Sequence, residues 1–363
     1  MPSEDDRPHV SGMLVEELAA HLRARDVRIS DLEARRLYSR ALAKPSPHPP
    51  RRAIATRLWR ALDEHVDTGR LELVERVIDA ADGFVKYLFR SPDGALSEAV
   101  RIPLHAPGRF TVCLSSQVGC AMGCVFCATG RLGLTRSLRA WEMVAALLHV
   151  RDETEGRVSG AVFMGQGEPL HNYDEVIRTA RILSHPCGGR IAARAISIST
   201  VGLVPQILRY TREGQPYRLI VSLTSAIAAK RSTLLPIAGR FEIEDVAAAI
   251  REYARAARGR VTIAWCVMSG VNTGQDEVDA LRALLGDVPL RINLIDVNDA
   301  RPDGFRRASP QELHDLLDRL QVLGAPIVRR YSGGAEKHAA CGMLAATRFT
   351  QHADPVPARG SGS

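Results

Sequence analysis

The sequence predicts an α/β fold: a partial parallel (β/α) barrel with a small N-terminal helical accessory domain and a short antiparallel strand extension. Three observations predict it. Seven short apolar runs rich in Val, Ile and Leu follow one another after Thr111. Helical stretches with apolar residues at a 3.6-residue period separate them, which is the alternation that βα units produce. Before residue 110 the pattern is different, first helical and then strand-like with tight turns.

Residues 12 to about 67 read as short helices. "MLVEELAAHLRARD" and "ISDLEARRLYSRAL" carry apolar residues at helical spacing, "PSPHPP" breaks the pattern, and "RRAIATRLWRALDEH" resumes it. "LELVERVIDA", "GFVKYLFR" and "EAVRIP" read as strands, with "DG" and "SPDG" as turns. The barrel strands are then "TVCLSS", "GAVFMG", "AISIST", "RLIVSLT", "VTIAWCVM", "RINLI" and "PIVRRY". The intervening helices are "RAWEMVAALLHVRDE", "NYDEVIRTARILSH", "IEDVAAAIREYARAA", "DEVDALRALLGDV" and "SPQELHDLLDRLQVLG". The last opens on Ser309, Pro310 and Glu312, a capping box with proline at the first helical position. We divide the chain into a helical unit (1–67), a β extension (68–110), a barrel core (111–350) and a disordered tail (351–363).

Composition bounds the function. The chain has 363 residues, 45% hydrophobic and 25% charged, which is ordinary for a globular protein with a real core. No apolar run approaches the roughly 20 residues that a membrane helix needs. The opening "MPSEDDRPHV" is acidic and polar rather than a secretory leader, which predicts the cytoplasm, where thiols stay reduced. The net charge of +7, with a pI near 9.2, suits a nucleic-acid partner. Lys44, Arg51, Arg52, Arg57 and Arg60 lie in an acid-free stretch of the helical unit, which suits a nucleic-acid docking surface. Charge alone leaves a merely Arg-rich composition open as the alternative. The RNA such a unit would dock is what the resemblance described below implies.

Four of the seven cysteines fall within "CLSSQVGCAMGCVFCATG". Structural disulfides do not suit a reducing compartment. Cys120, Cys124 and Cys127 form C-x3-C-x2-C in a loop with Gly119 and Gly123 after the first barrel strand. Structural zinc normally takes four ligands, often in paired CxxC units. Three close thiolates suit a [4Fe-4S] cube whose fourth iron stays open to a small molecule. Zinc and chance stay open as alternatives on spacing alone.

The neighbouring blocks narrow the choice. "CLSSQVGCAMGCVFCATGRLGLTRSL", with Phe126 before the third cysteine, "FMGQGEPLHNYDEV", "ISIST", "INLIDVN" and "HAACGMLA" occur in that order. Together they resemble the RlmN/Cfr family of radical S-adenosylmethionine (SAM) RNA adenine methyltransferases, over about Glu98 to Leu344. The resemblance implies a radical SAM barrel, with one [4Fe-4S] cluster on Cys120, Cys124 and Cys127 and SAM bound at its open iron. It implies that Gly167, Glu168, Ser199, Ser222, Leu223, Thr224 and Asn298 line the SAM pocket. All lie at or beyond the carboxyl ends of predicted strands, where barrels build active sites.

The same resemblance implies that Cys341 carries a methyl group and Cys113 later attacks its sulfur, giving a transient disulfide that frees the product. Glu98 matches the family's proton acceptor. The activity implied is methylation of an adenine ring carbon, C2 or C8, of 23S rRNA. The alternatives are tRNA or a small natural product as substrate, or, outside enzymes, a zinc-binding RNA adaptor. The implied partners are RNA and an electron donor such as flavodoxin, with no membrane and a monomeric chain. Cys187 and Cys266 match no motif and read as core or surface thiols. Three departures mark a diverged branch: Thr224 stands where the family usually has His, "RRYSGGAEKHAACG" lacks the usual acidic pair and isoleucine, and the N-terminal region lacks a Phe-Arg-Ala-rich signature.

Overall fold

The computed structural model describes residues 7–44, 54–79, 82–299 and 301–330. Three helices come first: α1 (Val15–Arg23), α2 (Asp31–Ala41) and α3 (Thr56–His65). The start of α2 follows from its sequence. Ser30 Oγ accepts from Glu33 N and Glu33 Oε2 accepts from Ser30 N, which satisfies two backbone donors reciprocally. Leu18, Leu22, Leu37, Leu58 and Leu62 form the apolar stripes of these helices and are fully buried. They merge with the main core rather than forming their own. Arg178 Nε donates to Gly12 O at 2.7 Å, and His9 stacks on Trp141 at 4.5 Å between ring centroids.

Then come β1 (Glu72–Ile78), β2 (Val85–Arg90), β3 (Leu96–Pro103), β4 (Arg109–Leu114), β5 (Gln117–Gly119), α4 (Ala128–Arg131), β6 (Leu134–Ser137), α5 (Ala140–Glu153), β7 (Arg157–Phe163), α6 (Tyr173–Ser184) and β8 (Ile196–Thr200). The remainder is α7 (Val204–Arg212), β9 (Arg218–Ser222), α8 (Ala228–Leu234), α9 (Ile243–Ala257), β10 (Val261–Val267), α10 (Gln275–Leu285), β11 (Leu290–Asp296), α11 (Pro310–Leu320) and β12 (Ile327–Arg330). Ten strands form one sheet in the order β1-β2-β3-β4-β7-β8-β9-β10-β11-β12. The pairs from β4 to β12 are parallel, and β1 to β4 are antiparallel. Each new parallel strand joins the same advancing edge, as in a partial barrel.

Every predicted strand and helix is present, with ends moved by a few residues. α11 begins on the predicted capping box, with Glu312 N donating to Ser309 Oγ at 3.1 Å. Four pieces had no prediction: α4, α7, α8 and the β5–β6 hairpin. The strands of that hairpin are too short for a two-residue period to register. Among the described residues no helix is long and apolar enough to cross a membrane.

The register gives the sheet two unlike faces. Leu114, Phe163, Ile198, Val221, Ile263 and Ile292 succeed one another across the strands on one face, each at most 1% exposed. They join the helices in the main core, and burying each side chain stabilises the fold by about 1.5–3 kcal/mol. The opposite face carries Cys113, Val162, Ser199, Ser222, Ala264, Cys266 and Asn293. A fold that needed only stability would not collect hydroxyls, thiols and an amide there.

Candidate active site

The polar face continues into the antiparallel strands. Cys113 pairs with Val100, and Val100 pairs with Lys86. Glu98 lies two residues before Val100 and therefore points to the same side. Glu98 is 4% exposed, so it is not the solvated strand residue that its sequence context allowed. Lys86 Nζ lies 3.7 Å from Glu98 Oε2. Cys113 is 2% exposed and packs with Val100 and Val162 in a small apolar cluster, beside Phe84, Ile102 and Met164.

The cysteine loop springs from the end of β4 and is tied to the loop after β7. Ser115 Oγ donates to Glu98 O at 2.7 Å and accepts from Gln166 N at 3.0 Å. Gln166 O accepts from Ser116 N at 2.8 Å, and Gln117 Oε1 accepts from Glu168 N at 2.9 Å. Asn172 Nδ2 closes the base by donating to Ser116 O and Leu138 O. The two glycines are obligatory here. A Cβ on Gly119 would stand 1.9 Å from Gly133 O, and one on Gly167 would stand 2.5 Å from Gln117 Cβ. Both also have positive φ, +75° and +96°.

Cys120 and Cys124 are buried and Cys127 is half-buried. Burial pushes the Cys120 thiol up to about 12 and raises Cys124 as well, and each senses Cys127 electrostatically. Among the described residues, no three His, Cys, Asp or Glu side chains converge closely enough to hold a single ion. The three thiols share one short loop without meeting at one point. Gln166 Oε1, Arg231 Nε and Arg231 Nη1 are buried with no hydrogen-bond partner among the described residues. Cys266 interacts with Cys127 electrostatically, a proximity that its isolated place in the sequence concealed.

Of the predicted pocket residues Glu168 bonds directly into this loop, and the others lie at or just beyond the carboxyl ends of β7, β8, β9 and β11. Glu168 is buried, and its two carboxylate oxygens accept from Leu170 N and Val201 N, each at 2.9 Å. Burial pushes its carboxyl up to about 7, against the opposing pull of those hydrogen bonds. Ser199 Oγ and Ser222 Oγ are 3.1 Å apart. Leu223 N donates to Ala264 O at 3.1 Å. Thr224 has φ +63°, uncommon for a β-branched residue, and Asn272 Nδ2 holds its carbonyl at 2.7 Å. Glu277 pins the next turn, accepting from Ser225 Oγ and Ala226 N. Asn298 follows β11 and its Oδ1 accepts from Arg307. Cys341, the "HAACGMLA" block and the tail lie outside the described residues, as do Arg51 and Arg52.

The Radical SAM superfamily matches the chain over residues 114–285, the span from the end of β4 to the end of α10. A probable RNA methyltransferase of Anaeromyxobacter sp. (strain Fw109-5) is 49% identical over 88% of this chain and 95% of that protein. A probable RNA methyltransferase of Myxococcus xanthus (strain DK1622) is 48% identical over 85% of each chain. A dual-specificity RNA methyltransferase RlmN of Syntrophobacter fumaroxidans (strain DSM 10017 / MPOB) is 39% identical over 80% of this chain and 85% of that one. Among solved structures, a radical SAM methyltransferase from Sphaerobacter thermophilus superposes with a TM-score of 0.83 at 35% identity. It covers 93% of this chain and 99% of its own.

Proposed function

Because the chain belongs to the radical SAM RNA methyltransferases of the RlmN type, we propose that it methylates a ring carbon, C2 or C8, of an adenine in 23S rRNA. Membership makes it a SAM-dependent enzyme rather than a zinc-binding adaptor, and implies an iron–sulfur cluster and SAM. The observation that carries the finer reading is the shared face of Glu98 and Cys113, at the root of the cysteine loop.

Cys120, Cys124 and Cys127 would hold the cluster, of the [4Fe-4S] type. Once reduced by a donor such as flavodoxin, the cluster would supply the electron for reductive cleavage of SAM. Gly167 and Glu168 receive the SAM amino group. Glu168 retains lone pairs for this after its two backbone bonds. Ser199, Ser222, Leu223, Thr224 and Asn298 line the remainder of the pocket.

Adenine C2 and C8 are electron-poor and do not attack a SAM methyl by displacement. Cys341 solves this by taking the methyl first, as a thioether on its sulfur. That methyl would give up a hydrogen atom to the carbon radical derived from a second SAM, and the resulting carbon radical adds to the base, tying protein to RNA through Cys341. Glu98 accepts the proton leaving the adduct as the adduct's unpaired electron passes back to the oxidised electron donor, which leaves a closed-shell thioether. The Cys113 thiolate then attacks Cys341 sulfur. The carbon–sulfur bond breaks with its electron pair staying on the base-bound carbon, which takes up a proton to become the methyl group, and a transient Cys113–Cys341 disulfide remains. The β4 position of Cys113 supports this role, since Val100 and Val162 hold it with few rotamers open.

The test is nucleoside mass spectrometry of rRNA and tRNA incubated anaerobically with the loaded enzyme, SAM and reductant. Methyladenosine with the methyl on C2 or C8 in 23S rRNA supports the reading. The same product only in tRNA moves the substrate and keeps the chemistry, and methylation on nitrogen or ribose overturns it.

A further inference from the structure

Arg231 is the largest side chain buried completely in the described fold, at 1% exposed. It lies on α8, where Nη2 donates to Val201 O at 2.6 Å. Nε and Nη1 have no acceptor among the described residues. A buried cation with two unmade hydrogen bonds is costly, so a fold that keeps one has an anion to set against it.

The surroundings say where that anion sits. Val125 N donates to Leu234 O at 3.1 Å, which joins the cysteine loop directly to the end of α8. Pro236 Cγ lies 3.6 Å from where a Cβ on Gly123 would stand. Arg231 interacts electrostatically with Cys124. Glu168 is the nearby carboxylate, but the Val201 peptide separates the two. Its N–H donates to Glu168 Oε2 while its carbonyl takes Arg231. Gly202, at φ +109°, brings this peptide close, since a Cβ there would lie 3.2 Å from Arg231 Nη2.

We propose that Arg231 donates through Nε and Nη1 to sulfur at the Cys124 corner of the iron–sulfur cluster, and so makes the cluster easier to reduce. The proposal rests on the assignment of Cys120, Cys124 and Cys127 as its ligands. Reduction adds an electron to a centre already negative from three thiolates. A fixed guanidinium and N–H···S bonds stabilise that added charge, and such bonds are among the factors that set cluster potentials. The buried site strengthens the effect, because water does not screen it.

The experiment is a redox titration of the reconstituted holoenzyme, followed by electron paramagnetic resonance, for wild type, Arg231→Met and Arg231→Lys. At a fixed ambient potential, Arg231→Met should show at least a tenfold lower reduced-to-oxidised ratio. That is about 59 mV for a one-electron couple. Arg231→Lys, which keeps the charge but loses the fork of donors, should fall between. SAM affinity of the oxidised form should stay within about twofold. An unchanged midpoint in both variants overturns the proposal. A lost SAM affinity with an unchanged midpoint also overturns it, and assigns Arg231 to the SAM carboxylate. If Arg231→Met holds no iron, Arg231→Lys carries the titration. Melting of the metal-free proteins is a second reading: Arg231→Met should melt no lower than wild type, because removing a buried cation with two unmade hydrogen bonds offsets the loss of its one bond to Val201 O. A lower melting temperature would make Arg231 a structural residue. A wild type with no reducible cluster would overturn the cysteine assignment, and this proposal with it.

Discussion

Lys86 Nζ and Glu98 Oε2 lie 3.7 Å apart with side chains only 1% and 3% exposed, a buried ion pair on the face of the sheet that carries Cys113. Removing one member of such a pair typically costs about 3–5 kcal/mol, whereas replacing both by apolar residues is often neutral. Lys86→Met should therefore melt well below wild type, and Lys86→Met combined with Glu98→Leu should recover most of the loss. Thermal unfolding of wild type, Lys86→Met, Glu98→Leu and the double variant checks this. A double variant no better than Lys86→Met would show that the two charges are not coupled.

The cysteine loop belongs partly to the core, since Cys120 and Cys124 pack within the main apolar cluster. Alanine at Cys120, Cys124 or Cys127 should each cost only about 1 kcal/mol of stability, as small buried truncations do. Each should nevertheless abolish the iron–sulfur chromophore and all methylation. Iron and sulfide analysis beside circular dichroism separates the two effects. Full iron in all three variants would contradict the ligand assignment.

Glu168 gives the metal-free protein a pH dependence of definite sign. Burial raises its folded value to about 7 from the ordinary 4.5. Between those values the folded chain holds a proton that the unfolded chain releases, so stability falls as pH rises, by roughly 3 kcal/mol in all. Glu168→Gln cannot ionise and should lack that component. Melting temperatures at about pH 5 and pH 7.5 test it. Equal falls in both proteins would place the pH dependence elsewhere.

The basic helical unit also makes a salt prediction. Arg57 is exposed but engaged, with Nη2 2.8 Å from Glu33 Oε1, while Arg60 is exposed on the same helix without such a bond in the described structure. If this surface binds RNA phosphates, Arg60→Gln should weaken binding and reduce the slope of log affinity against log salt by about one. Arg57→Gln should do less. An unaltered slope in both variants would leave the unit as a packing element only.

Much of this site was legible before any coordinates. The barrel strands announced themselves because their alternate residues are buried on both faces: Phe163 and Ile198 on one, Val162 and Ile220 on the other. Gly119 and Gly167 were legible within their motifs, and the structure supplies the reason in two approaches that no Cβ could survive. Arg231 was not legible. α8 is seven residues long, and "AAKRSTL" has no apolar period to reveal which side chain turns inward. Lys86 was hidden for a related reason, since a lysine in a strand ordinarily faces water and only the pairing with β3 places it beside Glu98. The proximity of Cys266 to Cys127 depends on loop closure across the sheet, which spacing along the chain does not encode.

The central claim is that Cys341 carries the methyl into a covalent RNA adduct and that Cys113 resolves it. Cys113→Ala removes the resolving thiolate but leaves the cluster ligands and Cys341 in place. Water is a poor substitute for attack at sulfur, where a thiolate is the suitable nucleophile. The deciding measurement is a denaturing gel of Cys113→Ala after anaerobic turnover with substrate RNA and SAM, run with and without ribonuclease. The account predicts a band of protein joined to RNA that collapses on ribonuclease treatment and is absent from Cys341→Ala. Normal turnover by Cys113→Ala, with no adduct, would contradict it.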